Sequence, residues 1–155
     1  MFKKTTGMQG FTLVELMITV AILSIMMGVA LPSYMVQIRK GHRTEAKVEL
    51  LKLAQTQESY FTQNLSYAKN LSQLGLTSNT YDTENAYYSV TLGSVTPGGC
   101  TGTSTSPSCT GFMIQATAQN AQSSDSDCPR FTLTNTGLKG TASGASVDAV
   151  RKCWK

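Results

Sequence analysis

The chain has 155 residues, of which 41% are hydrophobic and only 14% are charged. A chain of this length holds one ordinary domain, which excludes most multidomain enzymes. The formal net charge is +4, and Lys3 and Lys4 supply half of it. The rest of the chain is nearly balanced, so its composition does not by itself indicate a nucleic-acid partner.

The longest apolar run is FTLVELMITVAILSIMMGVAL, Phe11–Leu31. As a helix, its 21 residues would span about 31 Å, which matches the hydrocarbon core of a bilayer. The alternative is a secretory signal peptide with Lys3 and Lys4 as its basic region. However, the run is longer than the roughly 7–15 apolar residues of a signal peptide, it contains Glu15, and no small-x-small cleavage site follows it. We therefore expect a retained membrane helix, whose orientation is not determined by the positive charges on both flanks.

Helical periodicity continues beyond Pro32, although proline removes a backbone hydrogen bond and kinks or ends most helices. Residues suited to a buried face recur there at helical spacing, with most charged residues between them: Ala46, Leu50, Leu53, Ala54, Gln57, Tyr60 and Phe61. The pattern predicts one long helix, kinked near Pro32 and running to about Asn64. Its first half is apolar all round and its second half is amphipathic.

Beyond this helix the pattern changes to strands and loops. Residues 66–85 are polar with scattered apolar positions, which predicts a loop. Segments rich in β-branched or aromatic residues predict three strands, Ala86–Leu92, Phe112–Ala118 and Arg130–Thr134. A turn at Asn135-Thr136-Gly137 and a short return at Leu138-Lys139 follow the third strand. Residues 91–110 hold ten Ser or Thr residues and 141–146 are similar, so both predict loops.

Four cysteines in a small chain rich in Ser, Thr and Gly indicate disulfides and an oxidising compartment. They allow three connectivities, and the single sequence does not choose among them. The alternative is zinc binding, but the spacings C-x8-C, C-x18-C and C-x24-C lack the short knuckle of structural zinc sites. We therefore expect disulfides, with no metal site and no cofactor.

The other polar residues do not predict catalysis. His42, the single histidine, lies in the basic segment RKGHR and is expected to be solvated. No nucleophile–base pair can be identified from spacing, so the chain is not predicted to be an enzyme. Asp125 and Asp127, near Asn120, are compatible with a weak calcium loop, but a polar turn is the preferred interpretation.

The segment Gly10-Phe11-Thr12-Leu13-Val14-Glu15-Leu16, after a short basic leader, strongly resembles the processing site of type IV prepilins. In that family a prepilin peptidase cuts after the glycine and methylates the new N-terminal residue. The resemblance implies a cut between Gly10 and Phe11, a cytoplasmic leader, and an N-methylphenylalanine at Phe11. Pro32 matches the proline that kinks the helix of the family. The motif and the long helix cover about residues 1–65.

The resemblance also implies a role for Glu15 in assembly. Its carboxylate would meet the ammonium group of Phe11 in a neighbouring subunit and set the register of the filament. A carboxylate in the hydrocarbon region is costly and usually has a partner. The alternative is that Glu15 lies near the membrane interface, at the positive end of the helix, and needs no other partner.

The fold implied by the resemblance is α+β, the type IV pilin fold, in which the long N-terminal helix packs on a small antiparallel sheet. Its parts would be a leader, a transmembrane and assembly helix, and a globular domain that includes the amphipathic half of the helix, over residues 1–10, 11–31 and 32–155. Type IV pilins have a terminal disulfide loop, which implies a Cys128–Cys153 pair. The extra pair Cys100–Cys109 would close a loop of eight intervening residues. This arrangement is most similar to the PilE-like minor pilins.

We therefore expect a structural subunit of a type IV pilus, first held in the bacterial inner membrane as a single-pass protein with a periplasmic C-terminal domain. It would then polymerise through its N-terminal helix into an extracellular pilus that serves adhesion, twitching motility or DNA uptake. Its partners would be other pilin subunits, the prepilin peptidase and the inner-membrane assembly machinery, with surfaces or DNA as external partners. The alternatives are a type II secretion pseudopilin, which shares the N-terminal motif, and a DNA-binding competence pilin. The second alternative depends on a basic cluster suited to phosphate binding, Arg151, Lys152 and Lys155.

Overall fold

The computed structural model describes residues 10–93, 99–102, 107–142 and 145–155. The chain divides into two compact units, the first ending at Ile38 and the second comprising Arg39–Lys155. The long helix α1, Leu13–Asn64, contributes to both units. It ends at the residue predicted from the periodicity. It also continues through Pro32, so the proline does not end the helix; the kink remains a prediction.

In the first unit, α1 exposes its whole apolar surface. Every residue from 11 to 31 is exposed in the chain, and by length and composition the helix is apolar enough to cross a membrane. The Thr12 hydroxyl accepts a hydrogen bond of 3.2 Å from the backbone N–H of Glu15, which is the usual way to cap the start of a helix. An apolar surface of this extent requires lipid or other protein to cover it.

In the second unit, α1 buries one face. The buried positions include Ala46, Leu50, Leu53 and Gln57, which are the positions that the periodicity predicted. The Gln57 amide is satisfied by the backbone of Ala68, donating to its carbonyl at 3.1 Å and accepting from its N–H at 2.9 Å. This pair of hydrogen bonds holds the segment that follows α1 against the last turns of the helix.

The described residues after α1 form seven strands: β1 Thr80–Asp82, β2 Tyr88–Gly93, β3 Cys100–Gly102, β4 Pro107–Cys109, β5 Met113–Ala118, β6 Arg130–Thr134 and β7 Lys139–Gly140. Five of them form an antiparallel sheet in the order β1-β2-β5-β6-β7, and β3 pairs with β4 separately. The three predicted strands correspond to β2, β5 and β6. The predicted turn before β7 is present, with Gly137 at a φ of 75°, a conformation that glycine adopts without strain.

The predicted loops were wrong in part. Residues 66–85 contain the 3-10 helix Leu71–Leu74 and β1, and residues 91–110 contain β3 and β4. These strands have three residues each, too few for an alternating pattern to be visible in the sequence. The helix α2, Val147–Trp154, was also not predicted, because eight mixed residues give little periodic signal.

The core lies between α1 and the five-stranded sheet. Its large buried side chains include Leu50 from α1, Tyr88 from β2, Ile114 from β5 and Phe131 from β6. Burying an apolar side chain of this size contributes about 1.5–3 kcal/mol. All of the core side chains belong to Arg39–Lys155. This unit therefore has its own core and can fold without the first unit.

Two disulfides join the four cysteines, as Cys100–Cys109 and Cys128–Cys153. Cys128–Cys153 is the pair that the resemblance implied, and Cys100–Cys109 is the expected extra pair. The first disulfide links β3 to β4, and Cys109 in turn bonds to the segment after α1: its carbonyl accepts from the N–H of Tyr67 at 3.0 Å, and its N–H donates to the Ser66 hydroxyl at 2.8 Å. The second disulfide fastens α2 to the chain just before β6.

Candidate functional site

An open cleft of about 560 Å³ lies between α1 and α2, and we call it the basic cleft. Six of its lining side chains are cationic and one is a carboxylate; the lining residues are Lys40, Arg43, Lys47, Asp148, Arg151, Lys152, Cys153 and Lys155. A concave surface lined by charges of one sign concentrates the electrostatic field and attracts counter-ions. The cleft is therefore suited to an anionic ligand.

The helix α2, which forms one wall of the cleft, is stabilised by a side-chain cap at its start and by two tertiary contacts near its end. The Ser146 hydroxyl caps the helix by accepting a hydrogen bond of 3.2 Å from the N–H of Ala149. At the other end, the indole N–H of Trp154 donates to the Gly140 carbonyl at 2.8 Å, and Cys153 is disulfide-bonded. Arg151 and Lys152 remain exposed in the last turn, where the helix dipole favours cations.

The wall formed by α1 contains a buried cation, Arg43. Its Nε and Nη2 each donate a hydrogen bond of 2.7 Å to the two carboxylate oxygens of Asp125. The hydrogen bond from Arg43 to Asp125 raises the pKa of Arg43 and outweighs the opposing effect of burial. Arg43 is thus charged and fixed in orientation, but most of its charge is balanced by Asp125.

A further cation of this wall is Lys47. Its ammonium donates a hydrogen bond of 2.7 Å to the main-chain oxygen of Lys155, which joins the two walls. Burial lowers the pKa of Lys47, and the like charges of Arg43 and Lys139 lower it further. Burial is the largest cause of this shift, and the two neighbouring cations add positive potential at the ammonium.

The carboxylates after the 3-10 helix Asn120–Ser124 contact cations of this cleft. Asp125 binds Arg43, and the Oδ2 atom of Asp127 lies 2.9 Å from Nζ of Lys152. The Asn120 amide donates to the Ala86 carbonyl instead. Within the described residues there is no group of three or more His, Cys, Asp or Glu that could hold a metal ion. The choice between a polar turn and a weak calcium loop at Asp125 and Asp127 remains a prediction.

The prediction that His42 is solvated was wrong. Its ring is half-buried and stacks on Tyr87 with the ring centroids 3.6 Å apart, and its Nδ1 lies 3.0 Å from Oε1 of Gln122. Tyr87, just before β2, and Gln122, in the 3-10 helix Asn120–Ser124, cover this side of α1. Neither residue is close to His42 in the sequence, so the basic segment alone does not indicate this burial.

The other predicted site residues lie at the start of the chain. Phe11 is 80% exposed, and an added Cβ at Gly10 would meet no atom within 4 Å. Glu15 lies in the first turn of α1, where the positive end of the helix dipole favours a carboxylate. This position agrees with either interpretation of Glu15. Processing, methylation and a role of Pro32 in assembly remain predictions.

Only half of the basic cleft could be predicted from the sequence. The cluster Arg151, Lys152 and Lys155 is visible there, but its proximity to α1 is not. The available signal was the spacing of Lys40, Arg43 and Lys47, which places all three on one side of a helix. Only the tertiary structure brings that side next to α2.

Residues 32–132 match the family described as type IV minor pilin ComP, DNA uptake sequence receptor, and residues 6–31 match the prokaryotic N-terminal methylation motif. The chain is 36% identical over 67 residues to the type IV major pilin protein PilA of Myxococcus xanthus (strain DK1622), covering 43% of this chain. It spans only 30% of the length of that relative. It is also similar to a type IV pilin structure from Shewanella oneidensis, with a TM-score of 0.47 and 20% identity, covering 76% of this chain and 98% of the other.

Proposed function

Because the chain belongs to the ComP family of type IV minor pilins, we propose that it is a type IV pilus subunit whose globular unit binds duplex DNA in the basic cleft. In this role the protein takes part in DNA uptake. The mechanism is binding and polymerisation, without a chemical step.

The observation that carries the DNA part of this proposal is the cleft itself. Two separate helices bring six cationic side chains to one concavity, which Asp148 lines and where Asp127 contacts Lys152 and Arg43. Lys and Arg neutralise DNA phosphates and release condensed counter-ions, so such a site binds the DNA backbone. Arg43 is paired with the buried Asp125, whereas Lys152 and Arg151 form exposed ion pairs with Asp127 and Asp148. Exposed ion pairs are weak, so these two cations can exchange their carboxylates for phosphates, beside Lys40, Lys47 and Lys155.

Salt dependence tests this proposal. A fragment of residues 35–155 contains the whole second unit and is suitable for fluorescence anisotropy with a labelled duplex. If three to five cations meet phosphates, log K should fall with log salt at a slope of about −3 to −5. Replacing Arg151 and Lys155 by Gln should weaken binding and make the slope shallower by about two.

A matched variant controls for net charge. Lys52→Gln with Lys69→Gln removes the same two charges from residues that do not line the cleft. This variant should lose much less affinity than the cleft variant. Equal losses in the two variants, or binding that does not respond to salt, would contradict a DNA site in the cleft.

For the N-terminal segment, the proposal follows the processing motif. Residues 1–10 are removed by prepilin peptidase, and Phe11 becomes the methylated N-terminus. Residues 11–31 hold the subunit in the bacterial inner membrane, with the globular unit in the periplasm, and later enter the helical bundle of the pilus with other subunits. The match to the methylation motif and the fully exposed apolar surface of α1 support this route.

Detection of bound calcium would favour the pseudopilin alternative. Asp125 and Asp127, the residues considered for calcium, are paired with Arg43 and Lys152. Cations that already neutralise these carboxylates disfavour a calcium ion between them. The match to the ComP family supports the competence pilin over the pseudopilin.

A further inference from the structure

One carboxylate oxygen touches both walls of the basic cleft. Oδ2 of Asp127 lies 2.9 Å from Nζ of Lys152 on α2 and 3.8 Å from Nη2 of Arg43 on α1. The Asp127 side chain is 53% exposed and that of Lys152 is 58% exposed, whereas Arg43 is 7% exposed. An accessible anion is thus held between one exposed and one buried cation.

We propose that the Asp127 carboxylate occupies the position of a DNA phosphate, and that a phosphodiester displaces it to reach Lys152 and Arg43. This inference rests on the proposed DNA binding and specifies where a phosphate is bound. Asp127 is then an internal competitor that weakens DNA binding, and it marks the phosphate subsite.

The chemistry of the two anions supports this assignment. A carboxylate and a phosphodiester each present oxygen acceptors that carry one negative charge, so they compete for the same N–H donors. Lys152, followed by Arg43 and Lys40, lowers the pKa of the Asp127 carboxyl, which is therefore ionised at neutral pH and faces three cations. The phosphate that replaces it would meet the same three positive charges.

The neighbouring carboxylates, Asp125 and Asp148, are not exposed anions that contact both walls of the cleft. Asp125 is buried, with a side chain 3% exposed, and binds Arg43 through both oxygens, so it is not available for exchange. This two-point pairing also fixes the orientation of the Arg43 guanidinium. Asp148 contacts Arg151 of its own helix at 3.6 Å and is 90% exposed. An exposed ion pair such as that of Asp127 is weak and can be displaced.

The test compares Asp127→Asn with Asp148→Asn in the fragment of residues 35–155. Both changes remove one negative charge near the cleft, so they change the long-range field similarly. Asp127→Asn should tighten duplex binding about 1.5- to 5-fold, and it should steepen the salt slope by about one. Asp148→Asn should have a smaller effect on both. When Lys152→Gln is combined with each variant, the gain in DNA affinity from Asp127→Asn should disappear, whereas the gain from Asp148→Asn should remain.

Equal gains in the two variants, or no gain for Asp127→Asn in a fragment that binds DNA and keeps its melting temperature, would overturn the subsite but leave the proposed function standing. The Nε–H signal of Arg43 in ¹⁵N NMR provides a second measurement. It should shift on adding duplex DNA and, more weakly, on adding tripolyphosphate.

A shift with tripolyphosphate and phosphatidylglycerol vesicles, but not with duplex DNA, would overturn the proposed DNA binding and show a phosphate site for lipid head groups. If none of the three probes shifts this signal, the subsite itself is refuted.

Discussion

Arg43 on α1 and Asp125 in the loop before β6 form a two-point ion pair in the interior of the globular unit. Both hydrogen bonds measure 2.7 Å, and the two side chains are only 7% and 3% exposed. Gln122 donates a further hydrogen bond of 2.9 Å to the same carboxylate, and one of 3.1 Å to the Arg39 carbonyl. The pair therefore ties α1 to the segment Asp125–Cys128, which in turn holds α2 through its disulfide.

Asp125→Ala should strongly destabilise the globular unit, because the buried Arg43 loses its two-point partner and keeps only the longer contact of 3.8 Å with Asp127. We expect the free energy of unfolding to fall by about 3–5 kcal/mol, measured by urea denaturation of residues 35–155. Asp148→Ala removes an exposed ion pair and should cost less than about 1 kcal/mol. Replacing both members of the buried pair, with Arg43→Met and Asp125→Leu, should restore much of the loss. A similar small effect for both alanine variants would mean that the Arg43–Asp125 pair does not form in solution.

The disulfides should contribute to stability and to DNA binding in different ways. Replacing Cys128 and Cys153 by Ser should cost on the order of 3 kcal/mol, and it should weaken DNA binding because α2 loses an anchor. Replacing Cys100 and Cys109 by Ser should cost about 2–3 kcal/mol by the same model but leave the cleft and its affinity intact. Non-reducing peptide mapping of the wild-type protein checks the connectivity. A peptide that joins Cys109 to Cys128 would exclude it.

The globular unit should lose stability at alkaline pH through Tyr88. Burial raises the pKa of the Tyr88 hydroxyl from 10.0 to about 12. Below pH 10 the hydroxyl is neutral in both the folded and the unfolded protein. Between pH 10 and about 12 it ionises mainly in the unfolded chain. Stability should therefore fall across this range, by on the order of 2 kcal/mol from this group. Melting temperatures of Tyr88→Phe should fall less steeply over the same range than those of wild type or the control Tyr60→Phe. Parallel curves for all three proteins would assign the alkaline loss to other groups.

The Gly10–Phe11 bond should be the processing site. Replacing Gly10 by a bulky residue should leave the leader attached and abolish pili, because the peptidase needs a small residue before the cut. The fold itself should not change, since an added side chain at this position meets open space. Mass spectrometry of the N-terminal peptide from sheared pili provides the measurement. A wild-type subunit in pili that still begins at Met1 would rule out this cut.

Glu15→Ala should impair assembly without affecting the globular unit. Removing the carboxylate eases membrane residence by up to about 3 kcal/mol, so the subunit should accumulate normally in the membrane. Incorporation into filaments should fall sharply, because the Phe11 ammonium of a neighbour would lose its partner. Immunoblots of membrane and sheared-pilus fractions compare the two proteins. Equal incorporation would indicate that Glu15 is a tolerated residue at the helix start.

Several features could be predicted from the sequence because their signals are local. The end of α1 at Asn64, its buried stripe and the strands β2, β5 and β6 follow from periodicity and residue type alone. The family was visible from the seven residues that begin at Gly10, because they form a contiguous motif that can be identified without the fold. The disulfide pairing required knowledge of the family, since spacing allowed three connectivities.

The short elements were not predictable, because their stability comes from contacts with distant parts of the chain. β1 has three residues and depends on pairing with β2 and on the hydrogen bond of 3.0 Å from the Tyr81 hydroxyl to Glu49. α2 depends on Cys128 and Gly140 for its anchors. His42 looked solvated because its neighbours in sequence are basic, whereas its neighbours in space are Tyr87 and Gln122.

By itself, the sequence determined that this protein has a processing motif, an apolar helix and a small domain with disulfides. Each of these properties depends on adjacent residues or on helical spacing. The tertiary structure decided how the charges are arranged: it brought Arg43 to Asp125 and placed Asp127 between the two walls of the basic cleft. Electrostatic interactions depend on distance in space and on burial. Residues more than 80 positions apart in the chain therefore form a site that the sequence alone does not reveal.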